Sequence, residues 1–465
     1  MGNHYEGQTQ LPDTELVVVM IPFLVHSHVH QLFHLSKLIS AYNIPVHFLS
    51  TANQLDQFHS RTGPAVSNSL IHFIELPTDP KFANCVDIQG LLETTLHLRN
   101  PVADYVQSLS TRSRSVAVVH EHLMSYVVQD VKAISNAETY MFHPLSAFDT
   151  FWRFWEMFGR PFEIDDSELL NRLPSIQGTF PPELMDFVKL QSRYMDFHVG
   201  ELFGTSRVVE GEYVNYFERQ EMNNRNVKIW AVGPFIDVDN DKVASVTISE
   251  NRHECLRWLD LQPPNSVIYV SFGTIIANFS DKQIEELAIG LERSQQRFIW
   301  VVRSGDIVDK HSTNPNTTDL PIGFEERVQG RGLIVRGWAP QIEILGHSAT
   351  GGFLSHCGWN SSLESLWMGV PIATWPMHSD QPKNAFLITD VLKTGLPVLD
   401  WARRDELVTR VVVEDVIRRL MNSADGDEIR KKAGELGEAT RNSMVDGGIS
   451  RKEIESFVAY MKRTI

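Results

Sequence analysis

The sequence predicts an α/β protein built as two doubly wound domains that face each other across a cleft. Three observations predict it. At 465 residues the chain is too long for one ordinary core. Apolar runs of strand length alternate with segments of helical period, in two separate series. Between the series lies a polar stretch, residues 235–250, which holds Asp237, Asp239, Asn240 and Asp241 and reads as an interdomain linker.

The first series opens with residues 16–23, a near-continuous apolar run of the kind a parallel strand buried on both faces requires. Leu32, Leu35 and Ile39 follow at spacings of three and four, which predicts an amphipathic helix over 31–41. Asn43 and Pro45 punctuate it, and residues 46–50, 116–120 and 139–142 read as further strands. In the second series, residues 266–271 are strand-like. Ser280 with Gln283 then forms a capping box ahead of Ile284, Leu287 and Leu291. Strands are expected over 297–303, 333–335, 352–355 and 372–375, with an exposed loop over 304–320. No internal repeat is visible. In sheets of this kind ligands sit at the carboxyl ends of the strands, where the strand order reverses.

Composition narrows the function. A net charge of −16 argues against nucleic acid and anionic membrane surfaces, which need basic patches. Three cysteines, Cys85, Cys255 and Cys357, are too few and too uneven for a disulfide framework and fit a reducing compartment. Residues 1–14 contain no apolar core of a signal peptide, and the run 16–25 is too short to span a bilayer. The expected location is the cytoplasm.

Residues 338–381 carry the strongest chemical signal. Residues 351–355 form a strand, His356, Cys357, Gly358 and Trp359 the turn after it, and Asn360 starts a helix with apolar positions at Leu363 and Leu366. A tight strand-to-helix turn offers unpaired backbone N–H groups and a positive dipole end to an anion. His356, Asn360 and Ser361 add side-chain donors, so a diphosphate fits there. Thr274, after Ser271, Phe272 and Gly273, could reach the same phosphates. Glu364, one turn into the helix, can accept from ribose hydroxyls. Trp338 offers a flat face for uracil, and the backbone of Ala339 with the side chain of Gln341 can read its edge. Asp380 and Gln381 follow a strand end, where they can bind sugar hydroxyls. Each feature alone has a plainer reading, since a lone tryptophan is usually core and Gly351 and Gly358 could be ordinary turn glycines. Their conjunction at this spacing is what points to a donor site, whereas Trp367 and Trp375 read as packing residues.

The segment, with Pro340, His347 and Pro371 among its fixed points, resembles the plant secondary-product glycosyltransferase signature at its usual length of 44 residues. The chain is similar to plant family 1 UDP-glycosyltransferases over most of its length. The resemblance is strongest to the zeatin O-glucosyltransferase branch, through QLFHLSKLISAYNIPVHFLST at 31–51, SYVVQDVKAI at 125–134 and GWAPQIEILGH at 337–347. It implies the GT-B architecture, with an N-terminal acceptor domain over 1–240, a C-terminal UDP-sugar domain over 241–449, and a last helix, 450–465, returning to the first domain. It implies UDP-glucose as donor, because Gln381 is the glucose-associated residue at that place. It also implies an inverting transfer to a hydroxyl of a small apolar, cytokinin-like metabolite, by a monomer that needs no metal or other cofactor.

The same resemblance places the catalytic base at His28 and its carboxylate partner at Glu121, where relatives carry aspartate. A histidine suits the task because its pKa lies near the working pH, and a carboxylate on its other ring nitrogen fixes the tautomer. Further departures gather on this side: His26 and Ser27 stand where glutamine and glycine are common, and Met141 where threonine is common. Three explanations stay open: neutral drift, an altered acceptor or sugar preference, or a repurposed site doing cyclase- or isomerase-type acid–base chemistry. A UDP-sugar or hormone binder without turnover is the remaining rival. His26, His28 and His30 would share one face of a regular strand and suggest a metal, but a turn entering a helix is expected there. His34 and His47 read as structural or surface residues. The acceptor pocket is sought in residues 79–95 and 143–200, with His26, His122, Met141, Phe148 and Trp152 as candidates. The aromatic set Phe148, Phe151, Trp152, Phe154, Trp155 and Phe158 has partly helical spacing, and such a stripe is more often core than pocket, with some members expected to line an apolar acceptor cleft.

Overall fold

The computed structural model describes residues 14–62, 69–78, 88–157, 159–164, 167–175, 177–219, 227–236, 252–273, 279–302 and 320–463. Thr274, Cys85, Phe158, the stretch 237–250 of the expected linker and the stretch 304–319 of the expected loop lie outside the described residues.

The first sheet comprises β1 (Thr14–Ile21), β2 (Val46–Thr51), β3 (Ile71–Leu76), β4 (Ser113–Glu121), β5 (Ala137–His143), β6 (Gly200–Phe203) and β7 (Lys228–Ala231). Its spatial order is β3-β2-β1-β4-β5-β6-β7, and every described pairing is parallel. The second comprises β8 (Val267–Ser271), β9 (Arg297–Val302), β10 (Gly332–Arg336), β11 (Thr350–Ser355), β12 (Ile372–Thr374) and β13 (Gly395–Pro397), in the order β10-β9-β8-β11-β12-β13, again parallel. Each sheet winds outward from its first strand and then crosses back. The order therefore reverses between β1 and β4 in one sheet and between β8 and β11 in the other, which marks two places for ligands.

The apolar runs form strands because both faces are covered. Val18 and Met20 enter one core with the first helix, while Val17, Val19 and Ile21 enter another on the opposite face. Ile268 and Val270 are divided in the same way from Val267 and Tyr269. Gly351 lies inside β11 rather than in a turn. A Cβ there would stand 2.5 Å from the backbone oxygen of Asn265, so close approach of chains requires the glycine.

Three boundaries differ from the sequence reading. The first strand ends at Ile21, just before Pro22, two residues short of the apolar run. The first helix runs His26–Ser40, so the histidine-rich segment is its first two turns and not a turn leading into it. The N–H groups of His28 and Val29 both reach the carbonyl of Val25, and the helical apolar pattern begins at Val29, hidden by the histidines around it. The capping box is half made. Ser280 Oγ accepts the N–H of Gln283 at 3.2 Å, but the Gln283 side chain bonds both backbone groups of Val408 instead of returning to the cap.

Residues 144–199, between β5 and β6, insert the helices Ala147–Met157, Ser167–Arg172 and Pro182–Ser192. The last helix, Ile449–Lys462, lies on the first sheet: Ile454, Phe457, Val458 and Met461 join the core of β1 and the first helix. Trp230 Nε1 donates to Ser456 Oγ at 3.2 Å, and Arg207 pairs with Glu453 at 2.6 Å. Among the described residues no helix is long and apolar enough to cross a membrane.

Candidate active site

The two switch points face each other. On the first sheet, β1 delivers His28, in the opening turn of the helix that follows it, and β4 ends on Glu121. Glu121 is fully buried, and its Oε2 stands 2.8 Å from His28 Nδ1. This is ion-pair distance, and the same oxygen also accepts the N–H of Phe23 at 3.1 Å. Burial pulls the pKa of His28 down. The Glu121 charge and contact more than reverse this, and Asp380 from the other domain adds to the same effect, so the pKa is raised above 6.5. Glu121 Oε1 has no hydrogen-bond partner among the described residues and lies 3.8 Å from His122 Nδ1. His122 itself is held well below the ordinary histidine value, by burial and by His143.

On the second sheet, β8 ends at Ser271 and Gly273 follows with φ +84°. A Cβ on Gly273 would lie 2.5 Å from His356 Nε2, and one on Gly358 would lie 2.6 Å from it. Two bare backbone positions thus make the room that His356 occupies at the end of β11. Cys357 takes φ +65° to close the turn; it is buried, and burial pushes its thiol pKa up, which leaves it inert. The helix Trp359–Met368 starts on Gly358, without a side-chain cap, so its first N–H groups remain for an anion.

The remaining donor candidates fall into two groups. Gln341 Nε2 donates to Ser361 Oγ at 3.0 Å and to Glu364 Oε2 at 2.6 Å, which assembles three of them beside the helix start. Burial pushes the carboxyl of Glu364 up to about 7. Trp338 is 64% exposed, with His253 edge-on to it at 5.8 Å, and Ala339 is buried beside it. Asp380 stands at the start of the helix Gln381–Phe386; burial, with the charge of Asp149, raises it to about 6. Gln381 Oε1 accepts the N–H groups of Met377 and His378 at 2.8 and 3.1 Å, so its carbonyl shapes its own loop.

Several candidates are placed elsewhere. Trp359 is buried among Phe148, Phe386 and Leu387, so its ring is core and only its backbone faces the diphosphate turn. Phe148 and Trp152 belong to the same core, packed by Tyr213, Trp155 and Phe151, and Met141 is fully buried within β5. All three side chains are buried. The aromatic stripe packs across the domain seam, where Phe148 stacks on Phe386 at 6.1 Å and Trp359, Leu363 and Leu387 join the same core. His26 and His122 are half-buried near the pair. His26, His30 and His34 stack along the first helix, which separates His28 from them. Among the described residues no group of three or more His, Cys, Asp or Glu could hold a metal. His34 is buried, and His47 bonds Tyr105 Oη at 2.7 Å, so both are structural.

Sequence reading missed three contacts that bridge the domains. Gln31, one turn beyond His28, donates through Nε2 to Asn360 Oδ1 at 2.6 Å and to the Pro144 carbonyl at 2.7 Å. Asn360 Nδ2 returns a bond to the Ser27 carbonyl at 3.1 Å. Ser146 Oγ donates to Asn384 Oδ1 at 2.7 Å. The only signals in the sequence are spacings: Gln31 at i+3 from His28 and Asn384 at i+4 from Asp380.

A base-like histidine held by a carboxylate on one doubly wound domain, opposite an anion-ready helix start with an exposed tryptophan on the other, defines a nucleotide-sugar transferase of the GT-B architecture. The comparisons agree. The family model for the glycosyltransferase N-terminal domain matches residues 14–237, and that for UDP-glucoronosyl and UDP-glucosyl transferase matches residues 237–400. A zeatin O-glucosyltransferase of Phaseolus lunatus is 46% identical over 97% of this chain and 98% of its own. A zeatin O-xylosyltransferase of Phaseolus vulgaris is 46% identical over 97% of this chain and 99% of its own. A transferase of Siraitia grosvenorii, solved in complex with UDP, superposes with a TM-score of 0.77 at 28% identity, over 97% of this chain and all of that one. The chain belongs to the plant family 1 UDP-glycosyltransferases, in their zeatin branch, and is a glycosyl-transferring enzyme; repurposed chemistry and binding without turnover are not favoured.

Proposed function

We propose that the protein transfers glucose from UDP-glucose to the side-chain hydroxyl of a zeatin-type cytokinin, with inversion, as a cytoplasmic monomer. The observation that carries the chemistry is the His28–Glu121 contact at 2.8 Å, opposite the donor turn. The near full-length likeness to two zeatin transferases supports the acceptor. His28 Nε2 takes the hydroxyl proton as the oxygen attacks the anomeric carbon. The bond from that carbon to the UDP oxygen breaks, and UDP leaves with its electron pair. Glu121 holds Nδ1 and balances the charge of the imidazolium. Trp338 stacks on uracil, Glu364 accepts from the ribose, and His356 with the helix start cradles the diphosphate. Asp380 and Gln381 hold the sugar. With the leaving group held by fixed donors, turnover needs no divalent metal.

A second sugar, xylose, is supported by the equal identity to the xylosyltransferase. One experiment separates these readings: purified protein with trans-zeatin and either UDP-glucose or UDP-xylose, read by mass, with and without EDTA. The expected product carries one hexose and forms equally with EDTA present. A pentose product with UDP-xylose alone would replace the donor. No product from zeatin with either sugar would overturn the acceptor, and loss in EDTA with rescue by a stoichiometric metal would overturn the metal-free chemistry.

A further inference from the structure

The two halves of the active site lie in different domains, so the gap between base and donor must be set by something that crosses the cleft. The atoms at the seam form two hydrogen-bonded branches, joined by the backbone from Pro144 to Ser146. Asn360 Nδ2 donates to the Ser27 carbonyl at 3.1 Å, directly beside His28. Gln31 Nε2 donates to Asn360 Oδ1 at 2.6 Å and to the Pro144 carbonyl at 2.7 Å. Two residues on, Ser146 Oγ donates to Asn384 Oδ1 at 2.7 Å. Asn384 Nδ2 then donates to the Cys357 carbonyl at 3.0 Å and to Asp380 Oδ2 at 2.6 Å.

The chemistry of the partners fixes each amide. Pro144 and Ser27 present carbonyl oxygens, which only accept, so the nitrogen of Gln31 must face Pro144 and the nitrogen of Asn360 must face Ser27. Asn360 Oδ1 is then the atom left to meet Gln31. On the other branch, Cys357 offers a carbonyl and Asp380 a carboxylate, so the nitrogen of Asn384 faces both and its oxygen takes the Ser146 hydroxyl. No amide can be reversed without setting oxygen against oxygen. Gln31, Ser146 and Asn384 are all buried, where such bonds are least replaceable by water.

We infer that Gln31 is a positioning residue for glycosyl transfer: it clasps the helix that carries His28 to the diphosphate turn and so sets the distance between base and anomeric carbon. It acts through Asn360, whose amide gives one N–H to Ser27 and keeps the other for a phosphate oxygen, and through Pro144, which ties the sugar-side branch at Ser146 to the same seam. Occupation of the diphosphate turn is thereby felt at the first turn of the opposite domain.

The test compares wild type with Gln31→Ala and Gln31→Glu. The glutamate keeps size and shape but cannot donate, so it must fail as alanine does. Transfer to trans-zeatin should show kcat lower by about 10- to 100-fold in both variants, the scale on which small misplacements of reacting groups act. KM for UDP-glucose and the calorimetric affinity for UDP should stay at the wild-type values, while Tm falls by a few degrees with the loss of two buried hydrogen bonds. An independent readout uses UDP alone and does not depend on the acceptor: hydrogen exchange of the amides of the helix His26–Ser40. In wild type, UDP should slow exchange in its first two turns, and in both variants that response should vanish although UDP still binds. A protection response that persists in Gln31→Ala overturns the inference, as does wild-type behaviour of Gln31→Glu. A loss confined to UDP affinity or to Tm would also overturn it, since that would make Gln31 a support of the donor site or of the fold.

Discussion

As the proposed base, His28 acts only while its ring is neutral, and the carboxylate beside it works against that neutrality. Glu121 raises the pKa of His28 against the pull of burial, so transfer should climb as pH rises through the raised value and fail below it. The sign for stability is opposite. The folded pKa lies above the unfolded one, so the pair stabilises the fold fully below about pH 6.5 and loses that contribution as pH rises through the folded value. Replacing Glu121 by Gln removes its charge and leaves burial opposed only by the smaller effect of Asp380. The acid limb of the kcat profile should move to lower pH while the maximal rate falls, because the imidazolium loses its counter-charge. His28→Ala should cost the general-base contribution, about 100- to 10,000-fold in kcat, with UDP affinity unchanged. Glu121→Asp decides between drift and adaptation: retained transfer marks the longer carboxylate as neutral, and a damaged rate marks it as fitted to this acceptor. Full activity in both His28→Ala and Glu121→Gln would remove the pair from the mechanism.

The donor turn shows what a single element contributes and how much of it could be read in advance. Trp338 is mostly exposed, so its ring does little for the fold and is free for uracil. Trp338→Ala should weaken UDP binding by about 1–3 kcal/mol, the usual worth of a base stacked on an aromatic ring. That is roughly 5- to 150-fold in Kd by calorimetry, with Tm in the absence of UDP unchanged; an unaltered Kd would take Trp338 out of the site. Order along β8, β11 and the helix Trp359–Met368 was legible because apolar runs, glycines and a helix start are local signals. β3 and β6 were not, since Ile71–Leu76 carries His72 and Glu75 and Gly200–Phe203 is four residues long; both are strands only through their neighbours. The stripe of Phe148 and Trp152 left core and cleft open for a related reason. Periodicity says that one face of a helix is apolar, but not whether a core or a cleft lies opposite. Gln31 and Asn384 carried only a spacing to His28 and Asp380, and Ser146 not even that, because each matters through a residue far away in sequence: 329 positions separate Gln31 from Asn360.

At the scale of the whole molecule, the chain leaves the second sheet and finishes on the first. The helix Ala424–Met444 packs against the donor helix, where a Cβ on Gly437 would come within 2.8 Å of the Leu366 carbonyl, and Ile449–Lys462 then lies on the first sheet. Buried hydroxyls mark the crossing: Ser450 Oγ lies 2.9 Å from Ser206 Oγ and 3.0 Å from Ser443 Oγ. Phe457 is the helix's deepest anchor, fully buried and edge-on to Tyr140 and Trp230. Truncating it to alanine should cost about 3–5 kcal/mol, a large part of the stability of an ordinary domain. Because the same helix belongs to the first core while its predecessor braces the donor site, the loss should reach both domains. Calorimetry should show one transition that Phe457→Ala moves down and UDP moves up, although the proposed UDP site lies in the second domain. Two transitions, one answering to Phe457→Ala and the other to UDP, would show that the returning helix decorates the first domain without coupling it to the second.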